Sequence, residues 1–241
     1  MQIIIPMAGA GSRFSQAGYQ LPKPLIDVAG EPMISRVMDN LGTNHQYWFI
    51  VQKAVWAEHS VQLTKAAQKC AMHTFLLTDG LTQGAAETCL LAERMWDPEE
   101  PLMIANCDQV QDWDSDHFYD WFLRTPSDGS IITFYSNSIK NSYVKIDNLG
   151  WVVEAREKEV ISNLATTGVY VWRKAKYFMK AAHDMISRNI RVNNEFYVAP
   201  TYNFNLAMGH KINTYHINNH WPIGTPEDLH MYLQEKHVHH A

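Results

Sequence analysis

Pro6-Met-Ala-Gly-Ala-Gly-Ser-Arg-Phe14, continued by Leu21-Pro-Lys-Pro-Leu-Ile-Asp-Val-Ala-Gly30, decides how the rest of this sequence is read. It follows a short apolar strand, Gln2 to Ile5, and turns at Ala8, Gly9, Ala10 and Gly11, small residues whose backbone N–H groups can approach an anion closely. Arg13 and Lys23 then set two fixed positive charges ten residues apart, and the combination predicts a polyphosphate cradle. A dinucleotide fingerprint would need a third glycine where Phe14 stands. A Walker loop would need Gly-Lys-Ser/Thr directly ahead of a helix, whereas Lys23 lies between two prolines, twelve residues after Gly11. Two glycines alone would also fit a flexible turn; Arg13 and the Pro22-Lys23-Pro24 clamp argue against it.

G-A-G-S-R-F from Gly9, L-P-K-P-L from Leu21 and G-E-P-M-I from Gly30 together resemble the sugar-phosphate nucleotidyltransferase family, the NDP-sugar pyrophosphorylases, and the match recurs in order along most of the chain. The variant I-P-M-A-G-A-G-S-R-F resembles a branch associated with surface-polysaccharide decoration. The resemblance implies a Rossmann-like nucleotidyltransferase fold: an α/β, three-layer α/β/α sandwich with a mostly parallel mixed sheet. One domain spans residues 1–241, with a nucleotide-binding half at about 1–125 and a substrate-binding half at about 126–241. No C-terminal hexapeptide β-helix of the kind some relatives append is expected, which implies a minimal catalytic core. The implied partners are an NTP and a phosphorylated small-molecule acceptor, with Mg²⁺ as cofactor.

Composition narrows the alternatives. Of 241 residues, 46% are apolar and 19% charged, as in a soluble globular protein, and the net charge of −5 argues against a general nucleic-acid binder. Cys70, Cys89 and Cys107 are odd in number and lack C-x-x-C spacing, so neither a disulfide framework nor a zinc site is expected, and a reducing cytoplasm fits. The N-terminal apolar run stops at Pro6 and no run of eighteen apolar residues follows, which predicts no signal peptide and no membrane span. His237-Val-His-His-Ala241 reads as a frayed tail rather than a metal ligand set. Eight tryptophans could serve a core or an interface, so a homo-oligomer stays open.

Beyond the loop, Pro32 suits a first helical position, and Met33, Ile34, Val37, Met38 and Leu41 recur at helical spacing up to Gly42. Tyr47 to Val51 reads as a buried strand, Val55 to Lys69 as a helix and Thr74 to Leu77 as a strand; this βαβ alternation implies a parallel sheet with its active edge at the strands' carboxyl ends. Thr78-Asp-Gly-Leu-Thr-Gln-Gly84 opens an expected helix from Ala85 to Met95, and in the family this place resembles the base-reading loop. There Gln83 would offer a donor and an acceptor to the base, beside Gly84, although Gln83 also suits a plain helix start.

Leu102 to Gln109 is a buried strand running into Asp108, which resembles the family's metal-binding aspartate and could hold Mg²⁺ against a phosphate oxygen. Asp112, Asp114 and Asp116 form D-x-D patterns that a glycosyltransferase could use, or the acidic first turn of a helix from Asp116 to Arg124. Ser130 to Ser136 reads as a strand and Tyr143 to Glu154 as a hairpin about Asp147-Asn-Leu-Gly150. Glu157, Lys158, Thr167 and Gly168 resemble the family's substrate-side segment: Glu157 would accept from substrate hydroxyls and Lys158 would meet its phosphate. Lys174 to Arg188 reads as an amphipathic helix, and Glu195 resembles an acid on the substrate side of the family's cleft or, more plainly, an acid at a helix start. Ile212 to Ile217 reads as a last strand, and Thr225 then caps a helix begun by Pro226.

One position departs from the family pattern. A second metal-binding aspartate commonly stands two residues before the glycine of Gly224-Thr225, and here that residue is Pro222, with Asn219 and His220 nearby. The expected reaction is attack of a phosphate oxygen on the α-phosphorus of an NTP, with Arg13, Lys23 and Asp108 as the catalytic set. The acceptor is expected to be a sugar 1-phosphate; relatives of this size also activate phosphocholine and other phosphorylated polar compounds, so a cytidylyltransferase with a non-sugar acceptor remains an alternative. The other rivals are a glycosyltransferase using a formed NDP-sugar and a catalytically silent nucleotide-sugar sensor.

Overall fold

A computed structural model describes residues 1–238; His237 to Ala241, read above as a tail, lies at and beyond the limit of the described side chains. β1 (Gln2–Pro6) leads through the glycine loop into α1 (Ser12–Gln16) and a 3-10 turn at Lys23–Leu25. A small hairpin, β2 (Asp27–Val28) with β3 (Glu31–Pro32), precedes α2 (Met33–Leu41). There follow β4 (Gln46–Gln52), α3 (Lys53–Ala67), β5 (Met72–Thr78), α4 (Ala85–Leu90), β6 (Leu102–Ala105), β7 (Gln109–Gln111) and α5 (Ser115–Arg124). The chain continues with β8 (Gly129–Tyr135), β9 (Ser142–Ile146), β10 (Val152–Glu157), β11 (Leu164–Trp172) and α6 (Ala175–Ser187). It closes with α7 (Thr201–Ala207), β12 (Ile212–His216), β13 (His220–Pro222) and α8 (Pro226–Val238).

The main sheet runs β12-β8-β11-β6-β1-β4-β5, with β11 antiparallel to both neighbours and the other pairs parallel. The β9–β10 hairpin joins the first half of β11, where Tyr143 faces Ala165. Side-chain alternation explains the three layers. Ile3 and Ile5, with Tyr47, Phe49 and Val51, face the helices α2, α3 and α5, while Ile4, Trp48 and Ile50 face α4, α6 and α7. Each such buried side chain contributes about 1.5–3 kcal/mol of apolar transfer, so the sheet is clamped from both faces.

A third, smaller core matters more for function. Phe14 of α1, Ile26, Val28, Met33, Val110 of β7, Ile223 and the α8 residues Leu229 and Tyr232 pack together. This cluster ties the glycine loop to the end of the chain. At the outer edge of β10, Asn203 of α7 accepts from the Ala155 N–H at 2.9 Å and donates to the Ala155 carbonyl at 2.7 Å, as a neighbouring strand would.

Three expected boundaries move. The helix from Ala85 ends at Leu90 rather than Met95; Glu93–Met95 forms a separate 3-10 turn, after which Trp96 is extended (φ −90°, ψ 149°) and packs against Phe178. Pro32 is extended at ψ 141° and precedes the helix instead of opening it, since the Met33 N–H is drawn to the Ile26 carbonyl at 2.8 Å. The strand at Leu102 stops at Ala105, short of Asp108; the chain then turns into β7.

Candidate active site

The glycine loop, the end of β6 and the β7–β13 pair meet along one edge of the sheet. Ala8 is buried, Gly9 and Ala10 are exposed, and Gly11 adopts a left-handed conformation (φ 61°) that starts α1. The turn leaves the Arg13 side chain exposed, with no side-chain hydrogen bond or ion pair among the described residues, while Phe14 on the opposite side is anchored in the small core. Pro22 and Pro24 hold the chain on either side of Lys23. The inner face of this loop borders a cavity of about 520 Å³, whose lining includes Gly9, Gly11, Lys23, Cys107 and His59 of α3.

Asp108 approaches from the other side. Its carbonyl accepts from the Ile223 N–H at 2.8 Å, and a Cβ at Gly224 would overlap its carboxylate, so a larger residue there would have to displace that carboxylate. Lys23 Nζ donates to Asp108 Oδ2 at 2.5 Å, with the two side chains 25% and 18% exposed. Burial works against the lysine's charge, but the Asp108 carboxylate outweighs it and the pKa of Lys23 rises above its ordinary value; Arg13 is close enough for its charge to oppose this. Lys23 and Asp108 are thus in contact, and Arg13 lies near enough for its charge to be felt at Lys23.

Gln83 and Gly84 lie at the mouth of α4, and their surroundings were not foreseen. The Gln83 backbone N–H and side-chain Nε2 donate to Glu87 at 2.5 and 3.0 Å, while its Oε1 accepts from Arg191 at 2.5 Å. Gly84, at φ 138°, presses against the backbone of Phe196, and strand-like bonds join Phe196 N–H to the Gln83 carbonyl (2.8 Å) and Ala86 N–H to the Phe196 carbonyl (2.9 Å).

The substrate-side residues form a second group. Glu157 ends β10, accepts from the Ser142 hydroxyl, and has its pKa raised mainly by burial; Ser142 and Lys158 oppose the shift and Glu195 adds to it. Lys158, in left-handed conformation (φ 55°), donates to the Tyr197 hydroxyl at 2.5 Å and lies 4.6 Å from its ring centre. Thr167 is fully buried with its hydroxyl unpaired. Gly168 (φ 81°) makes the bulge in β11, where a Cβ would overlap the side-chain amides of Asn106 and Gln109. Glu195 is exposed and sits in a tight turn rather than at a helix start. Asn106, Gln109, Arg191 and Tyr197 were not singled out from sequence; the Asn193-Asn194 pair, a turn signal, was the available pointer to the last two.

The acidic stretch takes structural roles. Asp114 caps α5 through the His117 N–H at 3.0 Å, Asp116 lies in its first turn, and Asp112 accepts from Asn219 at 3.0 Å. Pro222 pairs with Gln109 across the β7–β13 ladder, and burial lowers the pKa of His220 to about 4, with Asp108 opposing. Among the described residues no three His, Cys, Asp or Glu side chains gather as a metal cage. A single carboxylate at Asp108 fits a cation carried by substrate phosphates, the usual mode for Mg²⁺. No described helix is long and apolar enough to cross a membrane.

The profile of the nucleotidyl transferase family matches residues 2–234. A nucleoside-diphosphate-sugar pyrophosphorylase from Vibrio cholerae has a similar structure, with a TM-score of 0.81 at 24% identity over 96% of this chain and 99% of the other. A UDP-glucose pyrophosphorylase complexed with UDP-glucose gives 0.79 at 15% over 98% of each chain. The inositol-1-phosphate CTP transferase of T. maritima gives 0.74 at 14% over 97% and 93%. At such identities these likenesses establish the three-layer fold.

Proposed function

The chain belongs to the nucleotidyl transferase family, and from that premise we propose that it transfers a nucleoside monophosphate from an NTP to a phosphorylated small molecule, a sugar 1-phosphate in the first instance, forming an NDP-sugar. The acceptor's phosphate oxygen forms a bond to the α-phosphorus while the bond to the β-phosphate oxygen breaks, and pyrophosphate leaves with that electron pair. A phosphate monoester is ionised at neutral pH, so no general base is needed and catalysis rests on alignment and charge.

The observation that carries this reading is the 2.5 Å contact of Lys23 with Asp108 beside the glycine loop, with Arg13 in electrostatic reach. The loop amides from Ala8 to Gly11 and Arg13 hold the triphosphate; Lys23, released from Asp108, meets charge developing between the α- and β-phosphates. Asp108 would hold Mg²⁺, which when bound supplies charge neutralisation at the phosphates. Gln83 and Gly84 border the base, and Glu157, Lys158, Thr167, Gly168 and Glu195 border the acceptor.

The test is pyrophosphate release from a panel of NTPs crossed with sugar 1-phosphates, inositol phosphate and phosphorylated amino alcohols. Lys23→Ala should lower the rate of the active pair about 100- to 1000-fold without unfolding the chain. Wild-type turnover in that variant removes Lys23 from the mechanism. Binding of an NDP-sugar with no pyrophosphate release from any NTP would instead favour the glycosyltransferase.

A further inference from the structure

Arg191 belongs to neither group of expected site residues; it touches Gln83 of the first and the turn at Asn194 that leads into Glu195 of the second. It lies just ahead of a two-residue turn in which Asn193 (φ 47°) and Asn194 (φ 65°) are left-handed, closed by paired bonds between Val192 and Glu195 at 2.9 and 3.1 Å. Such a primed turn fixes where the next residues go. Glu195 then sits where its charge is felt at Glu157, and Tyr197 receives Lys158. From just ahead of this turn the Arg191 guanidinium reaches across: Nη2 donates to Gln83 Oε1 at 2.5 Å, Nη1 to the Asn194 carbonyl at 3.1 Å, and Nε to Asn189 Oδ1 at 2.6 Å. Its plane lies 3.8 Å from the ring centre of Phe196, the residue whose backbone is stitched to Gln83 and Ala86.

Three donor directions and one flat face are all used, which an arginine can satisfy and a lysine cannot. We propose that Arg191 is a positioning residue that locks the nucleotide loop at Gln83–Gly84 to the acceptor turn at Asn193–Tyr197, so that nucleotide and acceptor bind cooperatively through it. The inference rests on the nucleotidyl-transfer reading. Gln83 then serves as the strut's far anchor, its carboxamide oriented between Glu87 and Arg191. By linkage, whatever factor the acceptor contributes to nucleotide affinity, the nucleotide returns to the acceptor.

The experiment measures NTP affinity with and without the acceptor, and the converse, in wild type, Arg191→Met, Arg191→Lys and Gln83→Ala, using the pair that releases pyrophosphate. Wild type should show a coupling factor of about 5 or more in both directions. The factor should fall to about 1 in Arg191→Met and in Gln83→Ala, with no further fall in the double variant, and Arg191→Lys should not restore it. Gln83→Ala removes the same contact from the other loop, so the question is answered even if the arginine variants unfold, which circular dichroism reports. An unchanged coupling factor in a folded variant overturns the strut while leaving the reaction standing. Absence of pyrophosphate release in wild type overturns the reaction and the strut with it.

Discussion

The two banks of the cleft are held in different ways. The glycine-loop part of the proposed nucleotide bank, residues 8–26, is short and contiguous, and it is fastened by Phe14 and Ile26 in an apolar cluster shared with α8. The acceptor bank draws on β10, β11 and the turn after Arg191, and is fastened by side-chain hydrogen bonds and by left-handed residues at Lys158, Gly168, Asn193 and Asn194. Apolar fastening tolerates neighbouring change as long as volume is kept, whereas polar fastening fails one contact at a time. One scaffold can therefore keep its phosphate chemistry while its acceptor bank is rebuilt.

The contrast can be broken most directly at Phe14, which is 1% exposed. Phe14→Ala should cost about 3–5 kcal/mol in denaturant unfolding and raise the KM for NTP more than that for the acceptor. An equal rise in both would mean that the small core does not serve one bank alone. At Gly168, alanine meets a left-handed φ and the Asn106 and Gln109 amides, so Gly168→Ala should cost about 1–3 kcal/mol and raise the acceptor KM first. A rise confined to the NTP would reverse the assignment of the banks.

The smallest effect belongs to Glu157, whose pKa burial raises. The folded chain then holds that proton at pH values where the unfolded chain has lost it, so stability should fall as pH climbs from the ordinary glutamate range through the raised value. Glu157→Gln should flatten this segment of the pH–stability curve, measured by urea unfolding at stepped pH, and gain stability above it. A steeper slope in the variant would show that Ser142 and Lys158 outweigh burial.

The backbone shape and charge of the glycine loop are legible in the sequence because that information is local. Gly11, Arg13 and the prolines around Lys23 set backbone shape and charge within a few residues of each other, and the βαβ periodicity placed them at a strand end. Asp108 was found at the end of a buried run even though the strand itself stops at Ala105. The acceptor bank was legible only by resemblance. Nothing in the order of residues tells that Arg191 meets Gln83, that Tyr197 meets Lys158, or that Gly168 abuts Asn106, because those contacts depend on how β11 bulges and where the turn at Asn193 lands. Gln83 shows the limit most plainly: an amide read as free to face a base is held on both ends by protein partners.

Asn203, by imitating a strand against Ala155, occupies the middle of the β10 margin of the sheet. At the far margin β5, Met72–Thr78, carries no charged residue and has no neighbour on its outer side among the described residues. Stray chain segments in a crowded solution, or a second copy at high concentration, thus meet an unpaired strand there, as they do along β12 at the other end of the strand order. A lysine engineered into β5 should improve shelf life without touching the cleft.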